Sequence, residues 1–149
     1  MSKVILKRKI SNRIALGHPW IFANEVAGLE GDAKAGDIVE VLDSEKKFIG
    51  KGYINQQSQI LVRLLTRKKT EEINEDFFIR RIEGCWQYRQ KLGYTENCRL
   101  VFGEADGLPQ LIIDKFNDYF VIQTLALGID IWKPVFVKAL QKIFSPKGI

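Results

Sequence analysis

Four acidic side chains within fifteen positions are the groups of this sequence best suited to acid–base chemistry. Glu104, Asp106, Asp114 and Asp118 lie in the otherwise apolar segment FGEADGLPQLIIDKFNDYFVIQ. An acid–base pair would need two of them to converge on one pocket, with at least one pKa shifted. Asp106 and Asp118 fall in the turn sequences ADGLP and KFND, where a carboxylate binds nearby backbone N–H groups. Glu104 and Asp114 are expected at strand ends. We therefore favour a structural role and assign no catalytic residue.

The remaining candidates for nucleophilic or metal chemistry are few. His18 is the only histidine, and no acid near it in sequence would orient it, so a structural or base-stacking ring is favoured over a general base. Cys85 lies on a predicted helix face without a cationic sequence neighbour that would lower its pKa, and an inert thiol is expected. Cys85 and Cys98 lack CxxC spacing and, with one histidine, form a poor ligand set, so no metal site is expected.

Four common catalytic and nucleotide-binding motifs do not occur in the chain. It contains no GxGxxG after a predicted strand, no GxxxxGK[ST], no HExxH and no GxSxG. No apolar run approaches the roughly 20 residues that a membrane helix needs. The charged start MSKVILKRKISNR does not resemble a signal peptide. With two free thiols, these features favour a cytoplasmic protein without a membrane partner.

The excess of positive charge is confined to the first half of the chain. Residues 1–70 hold 13 Lys and Arg against 7 Asp and Glu, whereas residues 71–149 hold 10 against 11. A surface with such an excess attracts phosphates, because binding releases condensed counterions. A solvated basic face without a partner remains the alternative on charge alone.

The same half supplies a set of residue types that suit nucleic-acid recognition. Cations can bind phosphates, aromatic rings can stack on unpaired bases, and an amide can read base edges. The candidate RNA-binding residues are Arg13, His18, Trp20, Lys51, Tyr53, Asn55 and Arg63. Lys51, Tyr53 and Asn55 alternate, so a regular strand would place them on one face, and Arg63 is expected to point outward. Trp20 could equally belong to the core.

The pattern of elements changes near residue 70. Strands are expected at 3–7, 38–42, 48–54 and 59–65, a short helix at 11–17, and a turn region at 28–37, which together favour a small β-barrel. The two glycines of FIGKGYI indicate a bulge or close backbone approach. After the charged run RKKTEEINED, a helix is predicted from Asn74 to Gly93. Three strand-like runs and a final helix near Asp130 or Trp132 follow.

Three blocks of the sequence resemble a known family. GHPWIFANEV, GDIVEVLDSEKKFIGKGYINQQSQILVRLLT and FGEADGLPQLIIDKFNDYFVIQ are similar, in order and spacing, to the start of the ribosomal large-subunit RNA cytosine-C5 methyltransferases. The resemblance covers nearly all 149 residues. It implies an RNA-binding PUA domain, a small pseudo-barrel, followed by a central β-β-α-β-β domain. In that family a Rossmann-like domain then binds S-adenosylmethionine, and its cysteine attacks C6 of the target cytosine.

The resemblance implies an α+β fold, with a PUA-like pseudo-barrel at residues 1–70 and a linker helix with the first part of the central domain at 71–149. The sequence ends after the central helix, so we expect a fragment without the methyltransferase domain, binding ribosomal RNA but not S-adenosylmethionine. Its open sheet would expose unpaired backbone groups through which two copies could pair. A stand-alone ribosome-associated RNA-binding module, or a protein-interaction domain, remains an alternative.

Overall fold

A computed structural model describes all 149 residues, which form two compact units, residues 1–71 and 72–149. Both mix strands with helices, so the α+β prediction is confirmed. The first unit contains β1 Lys3–Leu6, α1 Asn12–Ala15, β2 Trp20–Phe22, β3 Val26–Glu30, β4 Ile38–Leu42, β5 Phe48–Ile54 and β6 Ile60–Thr66. The second contains α2 Glu75–Lys91, β7 Asn97–Phe102, β8 Leu111–Phe116, β9 Tyr119–Thr124, α3 Leu127–Asp130 and α4 Lys133–Phe144. Single 3-10 turns at Ala23–Glu25 and Gly103–Asp106 follow β2 and β7.

The first unit is one curled six-stranded sheet in the order β2-β6-β5-β4-β1-β3. Strands β1 and β4 are parallel, and the other neighbours are antiparallel. Alternate side chains of the strands, together with Ile14 of α1, fill its interior. The fully buried members of this core include Val4, Ile14, Ile21, Val39, Val41, Ile54 and Val62. Strand β2, which carries Trp20, is an edge strand bound only to β6.

Two glycines bring β5 and β6 unusually close together. The register between these strands shifts at Lys51 and Gly52. A Cβ atom on Gly52 would lie 2.0 Å from the carbonyl oxygen of Arg63, and one on Gly50 would lie 2.7 Å from that of Thr66. Both distances are below any real contact of a Cβ atom, so the pairing requires glycine at these positions. The close approach that the sequence indicated is therefore confirmed.

The second unit packs two helices against a three-stranded antiparallel sheet in the order β7-β8-β9. Helix α2 begins at the cap Asn74, whose side-chain oxygen accepts a hydrogen bond from the Phe77 N–H at 3.0 Å. It contacts α4 through the rings of Phe78 and Phe136, whose centroids are 5.3 Å apart. Ile82 is fully buried, as its helical spacing predicted.

A buried lysine lies where the helices and sheet of the second unit meet. Lys115 is only 7% exposed, and its Nζ donates to the carbonyl oxygens of Thr95, Glu96 and Asn117 at 3.2, 3.0 and 2.8 Å. Three rings surround the ammonium group, and their centroids lie 5.5 to 5.9 Å from Nζ: Trp86 of α2, Phe120 of β9 and Phe144 of α4. Carbonyl dipoles and ring faces replace the lost hydration of this charge, so one side chain connects α2, β8, β9 and α4.

Several sequence expectations need correction. Strand β3 occupies part of the region expected to be a turn, because Lys3–Leu6 provides an antiparallel partner for it despite its glycine. Glu104 lies in a 3-10 turn and not at a strand end. Asp114 lies within β8, where the cross-strand partner Arg99 compensates its charge.

None of the helices combines the length and apolar character required to span a membrane.

Replacing Lys115 with methionine should destabilise the second unit. The change removes three hydrogen bonds to a charged donor and leaves the carbonyl groups in an apolar cage, so we expect the free energy of unfolding to fall by about 2–4 kcal/mol. Urea unfolding followed by circular dichroism measures the difference. The matched Lys142→Met variant, at an exposed position of α4, should change stability by less than about 0.5 kcal/mol. Equal stabilities of the two variants would contradict the role given to Lys115.

Candidate nucleic-acid interface

Arg13 holds together the segment that contains most of the predicted interface. Its Nη2 donates to both carboxylate oxygens of Glu25 at 2.9 and 2.8 Å, and its Nη1 donates to the Trp20 carbonyl oxygen at 2.9 Å. The guanidinium also lies over the ring of Phe22, 5.0 Å from the centroid. Glu25 in turn accepts the Phe22 N–H at 2.8 Å. Because these contacts occupy both terminal nitrogens, Arg13 shapes the site and is not the main phosphate ligand of the interface proposed below.

The hydrogen bonds of His18 determine which ring nitrogen carries its proton. Nδ1 lies 2.8 Å from Arg13 Nη1 and 3.2 Å from the Trp20 backbone nitrogen, and both of these groups can only donate. Nδ1 therefore accepts, and the neutral ring carries its hydrogen on Nε2. The ring meets that of Trp20 edge-on, with centroids 5.2 Å apart. His18 can thus offer a ligand one N–H donor from a fixed ring.

Two arginines lie beside these rings. Arg63 of β6 is directly opposite Trp20 in the β2–β6 pairing, so their side chains share one face of the sheet. Both are half-buried, and the Arg63 Nε is buried without a hydrogen-bond partner. Arg67 is exposed and donates to the His18 carbonyl oxygen at 3.0 Å. We refer to His18, Trp20, Arg63 and Arg67 as the β2 surface. Arg67 was not among the residues selected from the sequence.

Lys51 and Tyr53 lie inside the first unit, at 7% and 1% exposure. The Lys51 Nζ donates to the carbonyl oxygens of Lys69 and Glu71 at 2.7 and 3.1 Å and so ties the segment after β6 to the sheet. Tyr53 is the cross-strand neighbour of Arg63 in the β5–β6 pairing, but its side chain is covered by the rest of the first unit. Neither residue presents a polar group to solvent, so the interface proposed below omits both.

Asn55 lies just after β5, in the turn that leads to β6. It is half-buried, and its side-chain oxygen accepts the Gln57 N–H at 3.0 Å, while its own N–H donates to the Leu61 carbonyl oxygen at 2.8 Å. This side-chain bond is the usual structural role of asparagine in a turn. The structure therefore brings together Arg13, His18, Trp20 and Arg63, with Tyr53 buried beside Arg63. Lys51 is buried on the carbonyl oxygens of Lys69 and Glu71, and the side chain of Asn55 is bound within its turn.

The four acids of the second unit do not share a cavity. Each carboxylate has its own partner, three of them a separate basic side chain and one an amide. Asp106 pairs with Arg89 at 2.5 Å and accepts the Phe102 N–H at 2.7 Å, whereas Glu104 accepts from Gln110 at 2.9 Å. The other two form Arg99–Asp114 at 2.9 Å and Lys147–Asp118 at 2.8 Å. The Lys147 bond lowers the pKa of Asp118. These separate bonds agree with structural roles.

Cys85 lies in a protected environment. Burial, together with the nearby Asp106 carboxylate, raises the pKa of the Cys85 thiol to about 11. The expectation that Cys85 lacks a cationic neighbour was wrong, because Arg81 and Arg89 lie one helical turn before and after it on α2 and act to lower the pKa, but their effect is smaller. Burial also raises the pKa of Cys98. No three His, Cys, Asp or Glu side chains lie close enough together to hold a metal ion.

Sequence reasoning missed a second basic region of the first unit. Lys7, Arg8 and Lys9 are consecutive and exposed, and they line a cleft of about 700 Å3 between the segment after β1 and the turn at Asn24 and Glu25. The signal in the sequence was the uninterrupted run KRK, which is the densest cluster of positive charge in the first 30 residues.

Comparison with known proteins identifies relatives of the whole chain. Residues 4–67 match the PUA-like domain family. Ribosomal RNA large subunit methyltransferase I of Yersinia pseudotuberculosis is 36% identical over 150 aligned positions, which cover 99% of this chain and 38% of that protein. The protein of the same name from Yersinia pestis gives the same identity and coverage. The chain thus spans about two fifths of the length of these curated relatives.

Solved structures share the fold. A protein of Streptococcus mutans assigned as a SAM-dependent methyltransferase superposes with a TM-score of 0.81 over 98% of this chain and 39% of its own, at 15% identity. A second solved structure, of a protein assigned as a methyltransferase and complexed with SAH, has the same TM-score and sequence identity. The match covers 98% of this chain and 38% of that protein. At this identity the similarity establishes the arrangement of the backbone.

Replacing Lys51 with methionine should weaken the first unit while leaving its surface unchanged. The variant leaves two carbonyl groups without their buried donor, so we expect a loss of about 2–3 kcal/mol in the free energy of unfolding. Urea unfolding followed by Trp20 fluorescence, in a background with the other two tryptophans replaced by phenylalanine, measures it. Exposed Lys34→Met is the control. A stable Lys51→Met variant with weakened RNA binding would show that this side chain reaches the ligand after all.

Cys85 should resist alkylation in the folded chain. With a pKa of about 11, roughly one thiol in a thousand is ionised at pH 8, compared with about one in four for an unperturbed cysteine. Iodoacetamide labelling at pH 8, read by mass spectrometry of peptides, should therefore be slow at Cys85 and become fast in 6 M urea. Rapid labelling of Cys85 without denaturant would contradict the protected environment.

Proposed function

We propose that the first unit of this chain recognises ribosomal RNA. The premise is that the chain is a segment of a ribosomal RNA large subunit methyltransferase, with a PUA-like domain at residues 4–67. The module would dock and orient the RNA for a catalytic domain located in the rest of the full-length protein. Residues 1–70 form the RNA-binding domain in this proposal, and residues 71–149 form a linker helix and the first part of a central α+β domain.

The β2 surface is the observation that carries the proposal. A half-exposed tryptophan on an edge strand lies in register with Arg63, beside a histidine that presents a single N–H donor and beside the exposed Arg67. Stacking of an unpaired base on an aromatic ring and neutralisation of phosphates by arginine are the two interactions that RNA recognition combines most often. The net charge of +6 over residues 1–70 supports the same partner.

The proposal extends to the chemistry of the full-length protein. By family resemblance, the target is a cytosine of 23S-type ribosomal RNA, methylated at C5 with S-adenosylmethionine as the methyl donor, during rRNA processing in the cytoplasm. The residues of this chain do not fit that cofactor. Its second sheet is antiparallel, and no strand leads through a glycine-rich turn into a helix. We therefore expect the donor to bind in the part of the protein outside residues 1–149 and this chain alone to transfer no methyl group.

The edge of the second sheet supports a further proposal, that two copies of the chain pair there. The outer edge of β9 binds the chain only at its beginning, where Phe120 N–H donates to the Gly148 carbonyl oxygen at 3.0 Å and Lys147 N–H to that of Asp118 at 2.8 Å. An open strand edge is a template for another strand. Light scattering at millimolar concentration should report a dimer, and Ile122→Pro on the edge should abolish it, whereas a monomer at that concentration would contradict the pairing.

Binding to RNA should depend strongly on salt and on the β2 surface. About three phosphate contacts of the β2 surface with an unpaired strand would by themselves lower the affinity about 20-fold between 50 and 200 mM salt. Arg63→Ala and Arg67→Ala should each weaken binding about fivefold, as measured by filter binding to a fragment of large-subunit ribosomal RNA. Arg67 is exposed, so its variant tests the surface even if the loss of Arg63 disturbs the sheet.

The control for these variants is Lys34→Ala, which removes an exposed cation of the same unit far along the chain from both arginines. It should leave the affinity within about a factor of two of the unmodified chain. RNA affinity that is absent at 50 mM salt, or equal losses for Lys34 and Arg67 variants, would remove the support for the β2 surface as the contact region.

A further inference from the structure

Two adjoining clefts lie on the first unit, next to the Arg13–Glu25 pair but outside the β2 surface. The larger has a volume of about 700 Å3, and the segment Lys7–Asn12 forms one of its walls. The smaller, of about 550 Å3, lies between Phe22, Asn24 and Gln59. Both are lined by Asn24 and Glu25, so they adjoin at the turn after β2, and we refer to the two together as the groove.

The larger cleft carries positive charge that the protein itself hardly neutralises. Lys7 and Arg8 are exposed and form no ion pair, and Lys9 has only the solvent-exposed pair with Glu45 at 2.6 Å, in which the two side chains are 71% and 42% exposed. Such exposed pairs contribute little and exchange easily for another anion. The one carboxylate that lines the cleft, Glu25, is already bound to Arg13 by two hydrogen bonds. The cleft therefore presents two cations without an ion pair, Lys7 and Arg8, and a third, Lys9, whose only partner is solvent-exposed.

The smaller cleft has a different chemistry. Asn24 and Gln59 are exposed, and their amide groups have no hydrogen-bond partner within the protein. Each amide offers both a donor and an acceptor, which is the combination that reads the edge of a nucleobase. The Gln59 backbone carbonyl oxygen accepts the Ala23 N–H at 2.8 Å, so the end of β2 and the start of β6 hold the two amides on neighbouring segments.

We infer that this groove is a second binding subsite for unpaired RNA, in which Lys7, Arg8 and Lys9 hold the phosphate backbone and Asn24 and Gln59 contact the edge of a base. The inference rests on the proposed function and adds a contact region that the β2 surface does not include. Single-stranded RNA is favoured over a duplex, because the base edges of a duplex are already paired and recessed in its grooves. The three cations alone would attract any polyanion. The neighbouring amides of Asn24 and Gln59 are the groups that favour a polyanion with accessible bases.

The first test separates this cleft from general attraction of charge. A fluorescent oligoribonucleotide of about 12 unpaired nucleotides is titrated with the 149-residue chain at several salt concentrations, and anisotropy gives the affinity. The triple variant Lys7→Gln, Arg8→Gln, Lys9→Gln should reduce the slope of log affinity against log salt by about 2, because each phosphate contact to a single strand contributes about 0.7. All three positions are exposed, so the fold should be retained, as thermal unfolding can check.

The matched control removes the same charge elsewhere on the first unit. Lys34, Lys47 and Lys68 are also exposed, and their replacement by glutamine should change the slope by less than about 0.5. Equal reductions by the two triple variants would overturn the assignment of the phosphates to this cleft. If the unmodified chain fails to bind RNA at all, the proposed function itself is wrong. This outcome differs from a failure of the groove assignment alone, in which the unmodified chain still binds RNA.

The second test concerns the amides. Asn24→Ala with Gln59→Ala should weaken binding of the unpaired oligonucleotide about tenfold without changing the salt slope, because no charge is lost. The same RNA annealed to its complement should bind more weakly than the single strand and should be insensitive to the double variant. Equal binding of duplex and single strand, or an unchanged affinity of the double variant for the single strand, would overturn the base-reading role.

Discussion

The geometry of the proposed interface depends on one ion pair, between Arg13 and Glu25. The guanidinium group belongs to α1 and the carboxylate to the turn after β2. Besides binding each other, the guanidinium donates to the Trp20 carbonyl oxygen and the carboxylate accepts the Phe22 N–H. The pair is about two-thirds buried, so its charges are screened less than those of a surface pair and its geometry is more closely defined. Because His18 accepts from the same guanidinium, the orientation of its ring follows from this pair as well.

Each unit also contains a lysine that functions as a structural crosslink. Lys51 and Lys115 are both 7% exposed, and both place their ammonium group on backbone carbonyl oxygens of residues that lie outside the strands. A charge in such a position is stable only when all its donors find acceptors, so the segments that supply the acceptors are held in place. In the first unit that segment is 69–71, directly before the second unit begins. Excess positive charge in a sequence is therefore not the same as positive charge at a surface.

The sequence predicted elements better than it predicted exposure. Strands at 38–42 and 48–54 and the helix capped by Asn74 follow from period-two patterns, glycines and cap chemistry, all of which are local. The inward direction of Lys51 was not predictable, because it depends on carbonyl groups 18 and 20 residues further along the chain. Arg67 was missed for a similar reason, since its neighbour His18 lies 49 positions away. For nucleic-acid sites in particular, residue type and the alternation of side chains along a strand identify candidate binding residues. Contacts with distant parts of the chain then decide which of these residues remain accessible.

The contact of Gly52 with the Arg63 carbonyl limits how this sheet can tolerate mutation. Even alanine would push β6 away from β5 at this point, since its Cβ would lie within 2.0 Å of the carbonyl oxygen. The displacement would be transmitted to Arg63 and Trp20 on one side of β6 and to the acceptors of Lys51 at its end. A single methyl group added at this buried position would therefore alter both the interface and the chain segment that leads to the second unit. Variant libraries of this protein should consequently recover glycine at position 52 almost without exception.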